Sequence, residues 1–316
     1  MGSSGAVGAN GTTDSQTNDS AVSYRKNGGL VSSRFSELTR GTDWQRVSDR
    51  VVDFDTHHPQ GMTRVGDHFF VSSVEVFSYP ETYDDPKNGY DRTPGDGVGH
   101  VFKFTPQGEL VDHVSLDDGN MYHPGGIDFD GESIWVPVAE YRPDSHAVIY
   151  RINPETMEAT EVFQYPDHIG GIVHNTDKNT LHGVSWGSRR FYRWELDESG
   201  TVTNANRPPE ALASENPEHY IDYQDAQYLG DGLMLASGLA KYQPPNTSEF
   251  SLGGIDLVDL EAELPVHQIP VGEWTAEGMA MTRNPFYAET FRDGLRFYFL
   301  PEDNTSRLFV YDVGLH

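Results

Sequence analysis

Five segments of this 316-residue chain begin alike and continue alike. Their opening motifs are HPQGM (58–62), HPGGI (123–127), HIGGI (168–172), QDAQY (224–228) and TAEGM (275–279). Consecutive motifs start 65, 45, 56 and 51 residues apart, which is the roughly 40–50 residues of one propeller blade or somewhat more. A repeat of this length predicts an array of similar supersecondary units rather than a sandwich or a helical bundle.

Each copy continues with short segments that have the composition and period of β-strands. A second strand is predicted in every copy, at 69–73, 134–138, 181–186, 233–238 and 297–301. A third follows at 101–104, 148–152, 191–196, 255–260 and 308–313, and its apolar residues alternate with a period of two. A fourth strand is visible in copies one, two and four and is weak in copy three.

The last copy ends at His316 without a fourth strand. The segment WQRVSDRVVDF (44–54) can supply it and so close the ring, which removes exposed sheet edges. We therefore predict an all-β fold, a five-bladed β-propeller with four-stranded blades over residues 34–316. Residues 1–33 are rich in Gly, Ser, Thr, Asn and Asp and are predicted to form a disordered tether.

Composition limits the partners of the chain. The formal net charge is −27, which repels nucleic acids and anionic membranes. There is no cysteine, which excludes disulfides, thiolate metal sites and cysteine nucleophiles, and no apolar run is long enough to span a membrane. Polar tethers commonly follow a cleaved export signal, so we expect the protein to be extracellular or tethered at the cell surface after export. We also expect it to be a monomer.

Alignment of the copies predicts what surrounds the mouth of the propeller. The first strand of each blade lines the central channel, and position 1 of the motif places His58, His123, His168, Gln224 and Thr275 in one ring. Neutral imidazoles bind divalent transition metals, so the first three, with Gln224 as a further ligand, predict a site for Mn, Zn or Fe. Hydrogen bonds between blades, without any metal, are the alternative role of these histidines.

Other aligned positions supply candidates for acid–base chemistry and for substrate binding. The candidate acids and bases are Glu75, Glu140, Glu277 and Glu302. The candidate substrate-binding residues are Gln60, Arg142, Trp186, Arg189, Lys241 and Tyr242. Such convergent polar groups over an apolar floor are typical of a ligand pocket.

The HPxG-type openings and the AEGMA stretch (276–280) resemble those of exported bacterial propellers that are distantly related to gluconolactonase-like and strictosidine-synthase-like proteins. The metal ligands typical of those enzymes are absent here. The whole chain also resembles an exported bacterial family of unknown function. The set His58, His123, His168 and Gln224 is similar to that of oligogalacturonate lyase, a larger propeller, and this resemblance implies manganese held by histidines and a glutamine.

Two functions are consistent with these observations. The first is a metal-dependent exported lyase or hydrolase that acts at the mouth on a carbohydrate or a related small polar substrate. The second is a non-catalytic propeller at the cell surface that binds an oligosaccharide or another small ligand. The rings at the mouth differ from blade to blade, which favours a single asymmetric active site.

Overall fold

The computed structural model describes residues 28–217 and 220–314, and these residues form a five-bladed β-propeller. The chain begins with helix α1 over residues 28–37, followed by strand β1 (Trp44–Val51). Blade one contains β2 (His58–Val65), β3 (His68–Ser78), a hairpin of β4 (Thr82–Lys87) and β5 (Tyr90–Arg92), then β6 (Asp96–Phe104) and β7 (Leu110–Leu116). In blade two the inner strand is split into β8 (Met121–Pro124) and β9 (Asp128–Phe129), and the others are β10 (Ile134–Glu140), β11 (Ala147–Ile152) and β12 (Ala159–Tyr165).

The remaining blades follow the same antiparallel order. Blade three consists of β13 (Ile169–Asn175), β14 (Thr180–Ser185), β15 (Arg190–Glu195), the short helix α2 (Pro209–Leu212) and β16 (Ser214–Glu215). Blade four consists of β17 (Asp222–Gly230), β18 (Leu233–Tyr242), β19 (Phe250–Asp259) and β20 (Leu264–Val271). Blade five consists of β21 (Phe286–Phe291), β22 (Gly294–Phe299) and β23 (Arg307–Val313).

Strand β1 pairs with β23 and completes blade five. The register runs antiparallel from Trp44 opposite Val313 to Val51 opposite Arg307. The predicted closure by the segment 44–54 is therefore confirmed, as are five blades and the weak fourth strand of blade three, which is only the two-residue β16. Closure leaves the outer edge of blade five paired with chain from the other end of the domain.

The predicted alignment of the five repeats is wrong for the fifth copy. Residues 275–279 do not begin an inner strand, because they lie in a turn closed by a bridge between Trp274 and Ala280. The inner strand of blade five is β21, which starts at Phe286. Thr275 and Glu277 therefore do not belong to the rings at the mouth, and the exposed Glu277 carboxylate is not supported as a mouth acid.

Helix α1 corrects the predicted start of the ordered domain. Val31, Phe35 and Leu38 follow a helical spacing, and all three are buried against blades four and five. Residues 28–33 thus belong to this packed helix rather than to a tether. Residues 1–27, where the rest of the predicted tether falls, lie outside the described residues.

The hydrophobic core is divided into five clusters, and each cluster fills the space between two adjacent blades. Trp135 of blade two and Trp194 of blade three, for example, are both buried in the same cluster. Burial of a large apolar side chain contributes about 1.5–3 kcal/mol. The blades are therefore fixed to one another by packing, which holds the inner strands in a constant arrangement around the axis.

Close approach of the inner strands requires glycine near the axis, as the repeated motif predicts. A Cβ atom on Gly125 would lie 2.2 Å from the carbonyl oxygen of Gly170. Gly126 donates its N–H to the same carbonyl at 2.9 Å, so blades two and three are joined by a backbone hydrogen bond. A side chain at Gly125 would separate blades two and three, and a Cβ atom at Gly126 would lie 2.9 Å from Asp225 of blade four.

One buried carboxylate, that of Asp225, joins four blades at the axis. Its Oδ2 accepts the N–H groups of Met62 (2.9 Å) and Phe286 (3.1 Å), and its Oδ1 accepts those of Ile127 (3.2 Å) and Ala226 (2.9 Å). Burial raises the pKa of Asp225 well above its usual range, although the four N–H donors act in the opposite direction. The channel is thus filled at this level, and Asp225 lies next in sequence to Gln224 of the mouth.

Candidate functional site

The mouth of the propeller contains a cavity of about 250 Å³. His58, His123 and His168 line it from blades one, two and three, and Gln224 lines it from blade four. Two predicted substrate-binding residues, Gln60 and Trp186, lie in the same wall. The alignment of the repeats thus brings together six of the residues that it singles out, although they are far apart in sequence.

His168 is a buried imidazole with a defined tautomer. Its Nδ1 lies 2.8 Å from the backbone oxygen of Glu140. Because a carbonyl oxygen can only accept, Nδ1 carries the proton, and Nε2 keeps its lone pair. Burial lowers the pKa of His168 to about 4, so the ring is neutral at physiological pH.

His123 lies between the other two histidines in chain order and is equally buried. Its ring packs on that of Tyr141 at 4.1 Å between centroids and lies 6.3 Å from the ring of His168. Neither ring nitrogen has a hydrogen-bond partner among the described residues. Burial, together with the nearby His168 and His58, holds the pKa of His123 well below its usual range.

His58 is oriented by a carboxylate. Its Nδ1 lies 2.8 Å from Oδ1 of Asp303, whose Oδ2 accepts a hydrogen bond from the guanidinium of Arg283 at 2.8 Å. Burial would raise the pKa of Asp303, but the hydrogen bonds and charges of His58 and Arg283 outweigh it and hold this pKa at about 2. Asp303 is therefore ionised, which fixes the proton of His58 on Nδ1 and leaves the lone pair on Nε2.

Aromatic and polar groups complete the cavity. Trp186 packs edge-on against His168 at 4.8 Å, and Tyr141 lies 6.0 Å from Trp186. Ser185 and Asp222 add a hydroxyl and a carboxylate to the lining. The cavity therefore offers two aromatic faces and several hydrogen-bonding groups to one small molecule.

The cations around the mouth are paired with carboxylates. Arg142 bonds Glu140, Arg189 bonds Asp222, Arg307 bonds Glu302 and Arg283 bonds Asp303. Arg142 and Glu140 are both buried, and Arg142 also lies over the ring of Tyr90 at 3.4 Å. Each of these four arginines is therefore neutralised by a carboxylate.

Several predicted site residues take other positions. Glu140 and Glu302 are buried in the ion pairs described above and do not line the cavity. Lys241 and Tyr242 are exposed at the end of β18, where Tyr242 stacks on Phe250. The alignment of the repeats predicts the correct end of the strand for these residues. It does not predict the direction in which their side chains point.

Glu75 lies in a neighbouring cavity of about 310 Å³, which His58 and Asp303 also line. Within residues 28–217 and 220–314, the one group of three potential ligands whose donor atoms all lie within 4.8 Å of one another is His57, Glu75 and His100. The three mouth histidines do not form such a group, so binding of one ion by all three requires a side chain to move.

Sequence reasoning missed four residues that define the site. Asp303 and Arg283 lie in the loops around blade five, where the motif alignment is wrong, and Tyr141 follows Glu140 directly. His57 adjoins the predicted ligand His58, but the alignment assigns it no position. The signal available for Asp303 was its place directly after Glu302 at the end of a predicted second strand.

Stability is expected to fall as the pH is lowered from about 6.5 to about 4. His168, His123 and His182 are all buried, and burial lowers their pKa values, to about 4 for His168 and to about 3 for His182. The unfolded chain takes up protons on these residues below its own pKa of about 6.5, whereas the folded chain does not. The free energy of unfolding therefore keeps the full contribution of neutral His168 above about pH 6.5. It loses about 3 kcal/mol of this contribution by pH 4.

Urea unfolding at several pH values tests this expectation. His168→Asn, whose amide can keep the bond to the Glu140 carbonyl, should show a smaller loss of stability between pH 6.5 and 4 than the unmodified protein. Equal losses in the two proteins would show that His168 does not remain neutral in the folded state.

Several solved structures are similar to this chain at low sequence identity. A hypothetical protein from Leishmania major has a TM-score of 0.51 and 12% identity over 89% of this chain and 93% of its own. A mannose phosphorylase from Leishmania mexicana has a TM-score of 0.46 and 14% identity over 91% and 93% of the two chains. An exo-1,5-α-L-arabinanase from a bovine ruminal metagenomic library has a TM-score of 0.44 and 10% identity over 84% and 96%.

No helix in the described part of the chain has the length and apolar character needed to cross a bilayer. No curated protein is significantly similar in sequence. The model of one protein family, described as a family of unknown function, matches residues 23–316. Because this match covers nearly the whole sequence, the chain belongs to the DUF6454 family.

Proposed function

We propose that the protein is an enzyme, a hydrolase or a lyase, that acts in the mouth cavity on an uncharged polar molecule of the carbohydrate class. The observation that carries this proposal is the His58–Asp303 pair at a cavity that is also lined by neutral imidazoles and aromatic rings. A carboxylate that holds one imidazole nitrogen leaves the other free to take and return a proton.

His58 is the proton-transfer group in this proposal. Its Nε2 takes a proton from a water molecule in a hydrolase, or from a carbon-bound position of the substrate in a lyase, and returns it to the leaving group. Asp303 is the positioning residue, since its negative charge stabilises the imidazolium that forms. Asp303 in turn is held by Arg283.

The remaining groups of the cavity fit the binding of a sugar-like molecule. Hydroxyl groups can donate to Nε2 of His168 and bond the amides of Gln60 and Gln224, while Trp186 and Tyr141 offer faces to an apolar side of a ring. The paired cations of the rim favour an uncharged substrate over an anion. We place this activity outside the cell, on the basis of the acidic composition and the polar N-terminal segment.

A metal ion at the mouth is the second candidate, and the hydrogen bonds of the imidazoles favour it. Metal-bound histidines usually donate their other N–H to a carboxylate or a carbonyl, as His58 does to Asp303 and His168 does to Glu140. His123 adds a buried ring whose two nitrogens have no hydrogen-bond partner within residues 28–217 and 220–314. An ion held by these residues and Gln224 would polarise a substrate oxygen; Mn, Zn or Fe suit this donor set.

A screen for binding and turnover tests the proposal. The full-length protein is incubated with neutral glycosides, sugar lactones and oligosaccharides, with uronate-containing oligosaccharides as an anionic comparison, and both ligand-induced thermal shifts and product formation are measured. Turnover of a neutral compound that His58→Gln abolishes and the exposed control Lys241→Ala retains is expected. Binding at the mouth without turnover would indicate the non-catalytic function. Both functions would be contradicted if His58→Gln and Trp186→Ala bound the ligands as tightly as the unmodified protein does.

A further inference from the structure

We infer that His57, Glu75 and His100 form a binding site for one divalent transition-metal ion beside the mouth. Among the described residues, the fold brings the donor atoms of these three side chains within 4.8 Å of one another. The site differs from the mouth cavity and goes beyond the function proposed above. Its evidence lies in the distances, the burial and the hydrogen bonds of the three side chains.

The backbone places these side chains on one face of blade one. Glu75 on β3 lies opposite Val98, and His100 on β6 lies opposite Ser73, so the two side chains share a face of the sheet. His57 precedes β2 with a φ of 49°, and its carbonyl accepts the N–H of Asn304 at 2.6 Å. This left-handed backbone conformation turns His57 so that its ring stacks on that of His100, with 5.2 Å between centroids.

The distances fit a common ion. Oε2 of Glu75 lies 3.6 Å from Nε2 of His100 and 4.0 Å from Nε2 of His57. Two atoms bound to one ion at about 2.1 Å cannot be more than about 4.2 Å apart. Both separations from Glu75 are below this limit and exceed an ordinary hydrogen bond, and the donor atoms of the two imidazoles also lie within 4.8 Å of each other.

The outer nitrogens of both histidines face polar groups. Nδ1 of His57 lies 3.6 Å from a carboxylate oxygen of Asp55, and Nδ1 of His100 lies 3.4 Å from the hydroxyl of Ser115. Partners at these positions are typical behind metal-bound histidines. Nε2 of His100 is buried and has no hydrogen-bond partner in the described part of the chain, so it has an unmet requirement that an ion would satisfy.

Two imidazoles and one carboxylate form a donor set suited to Zn²⁺ and neighbouring first-row ions. Three protein ligands leave at least one coordination position open, as in catalytic rather than structural zinc sites. The adjoining cavity of about 310 Å³ is lined by Asp55, Glu75 and Tyr79 and gives a water molecule or a ligand oxygen access to this position. Burial lowers the pKa of His100, which keeps its ring neutral and able to bind a metal.

Calorimetric titration of the full-length, chelator-treated protein with Zn²⁺ tests the assignment. We expect one ion per chain and an affinity that falls at least about 100-fold in Glu75→Gln and in His57→Ala, since each change removes one ligand. Both side chains are partly exposed, so the variants should keep the melting temperature of the unmodified protein. Glu249→Gln and His146→Ala are exposed controls on other blades and should bind Zn²⁺ with unchanged affinity.

The outcome does not depend on any substrate. Zn²⁺ binding that is unaffected by Glu75→Gln and His57→Ala, or no binding by the unmodified protein, would overturn the assignment. If His123→Ala and His168→Ala abolish binding instead, the ion belongs to the mouth and this site is wrong. Failure of the proposed function leaves a different result, namely Zn²⁺ binding that requires Glu75 without turnover of any sugar.

Discussion

Asp225→Ala is expected to lower the free energy of unfolding by about 3–5 kcal/mol, because several buried backbone N–H groups lose their acceptor at once and each costs about 1–3 kcal/mol when unsatisfied. The Asp225 carboxylate accepts four backbone N–H groups that come from blades one, two, four and five. Alanine leaves these donors buried at the axis without an acceptor. A change of this size would reduce the equilibrium constant for folding by roughly two to four powers of ten.

Urea unfolding of Asp225→Ala, Asp225→Asn and Asp67→Ala provides the measurement. Asparagine keeps one acceptor oxygen but turns an amide donor toward two N–H groups, so its loss should also exceed about 1 kcal/mol. Asp67, whose side chain is 98% exposed, is the matched control and should change stability by less than about 0.5 kcal/mol. If Asp225→Ala unfolds within about 1 kcal/mol of the unmodified protein, the carboxylate does not join the blades as described.

Asp303→Asn is expected to reduce turnover of the mouth substrate by about 100- to 10,000-fold, the range associated with loss of general acid–base catalysis. The neutral amide no longer stabilises a charged His58, and it allows the imidazole to carry its proton on Nε2, the atom that must accept one. His58→Gln removes the same step and should give a loss of similar size. Lys241→Ala, exposed on the rim, should retain full activity.

The pH dependence of kcat separates this role of Asp303 from a purely structural one. Activity that needs an unprotonated base falls on the acidic side of the profile, and this acidic limb should move to lower pH in Asp303→Asn, because the negative charge that stabilises the protonated base is gone. A melting temperature that is unchanged in the same variant would show that the fold survives. Full activity with an unaltered pH profile would contradict the assignment of His58 and Asp303.

The fold could be predicted from the sequence because a similar pattern of strands recurs in each blade. Four of the five motifs lie at an inner strand, and the alternating segments that follow all five motifs indicate the number of blades and the order of the strands. The missing fourth strand of the last copy identifies β1 as the closing strand, since a ring cannot leave that edge unpaired. The prediction is wrong where the motif is present without the strand, as at residues 275–279, and where a short helix directly follows a polar segment, as at residues 28–37.

The same reasoning could predict only part of the candidate site. His58, His123, His168 and Gln224 lie at equivalent points of a symmetric array, so rotation about the axis brings them together. Asp303 and Tyr141 come from loops, which follow no symmetry and whose direction depends on local turns. His57 lies beside Glu75 and His100 because its own backbone is left-handed, a feature that a motif alignment does not contain.

Diffraction from crystals soaked with small neutral sugars tests the central claim most directly, namely that the mouth is the site where the protein binds its substrate. We predict electron density for one sugar in the cavity between His58, His168 and Trp186, with a sugar oxygen within hydrogen-bond distance of Nε2 of His58. Density that is found only between blades or on the outer strands, with water alone in the mouth, would contradict the account.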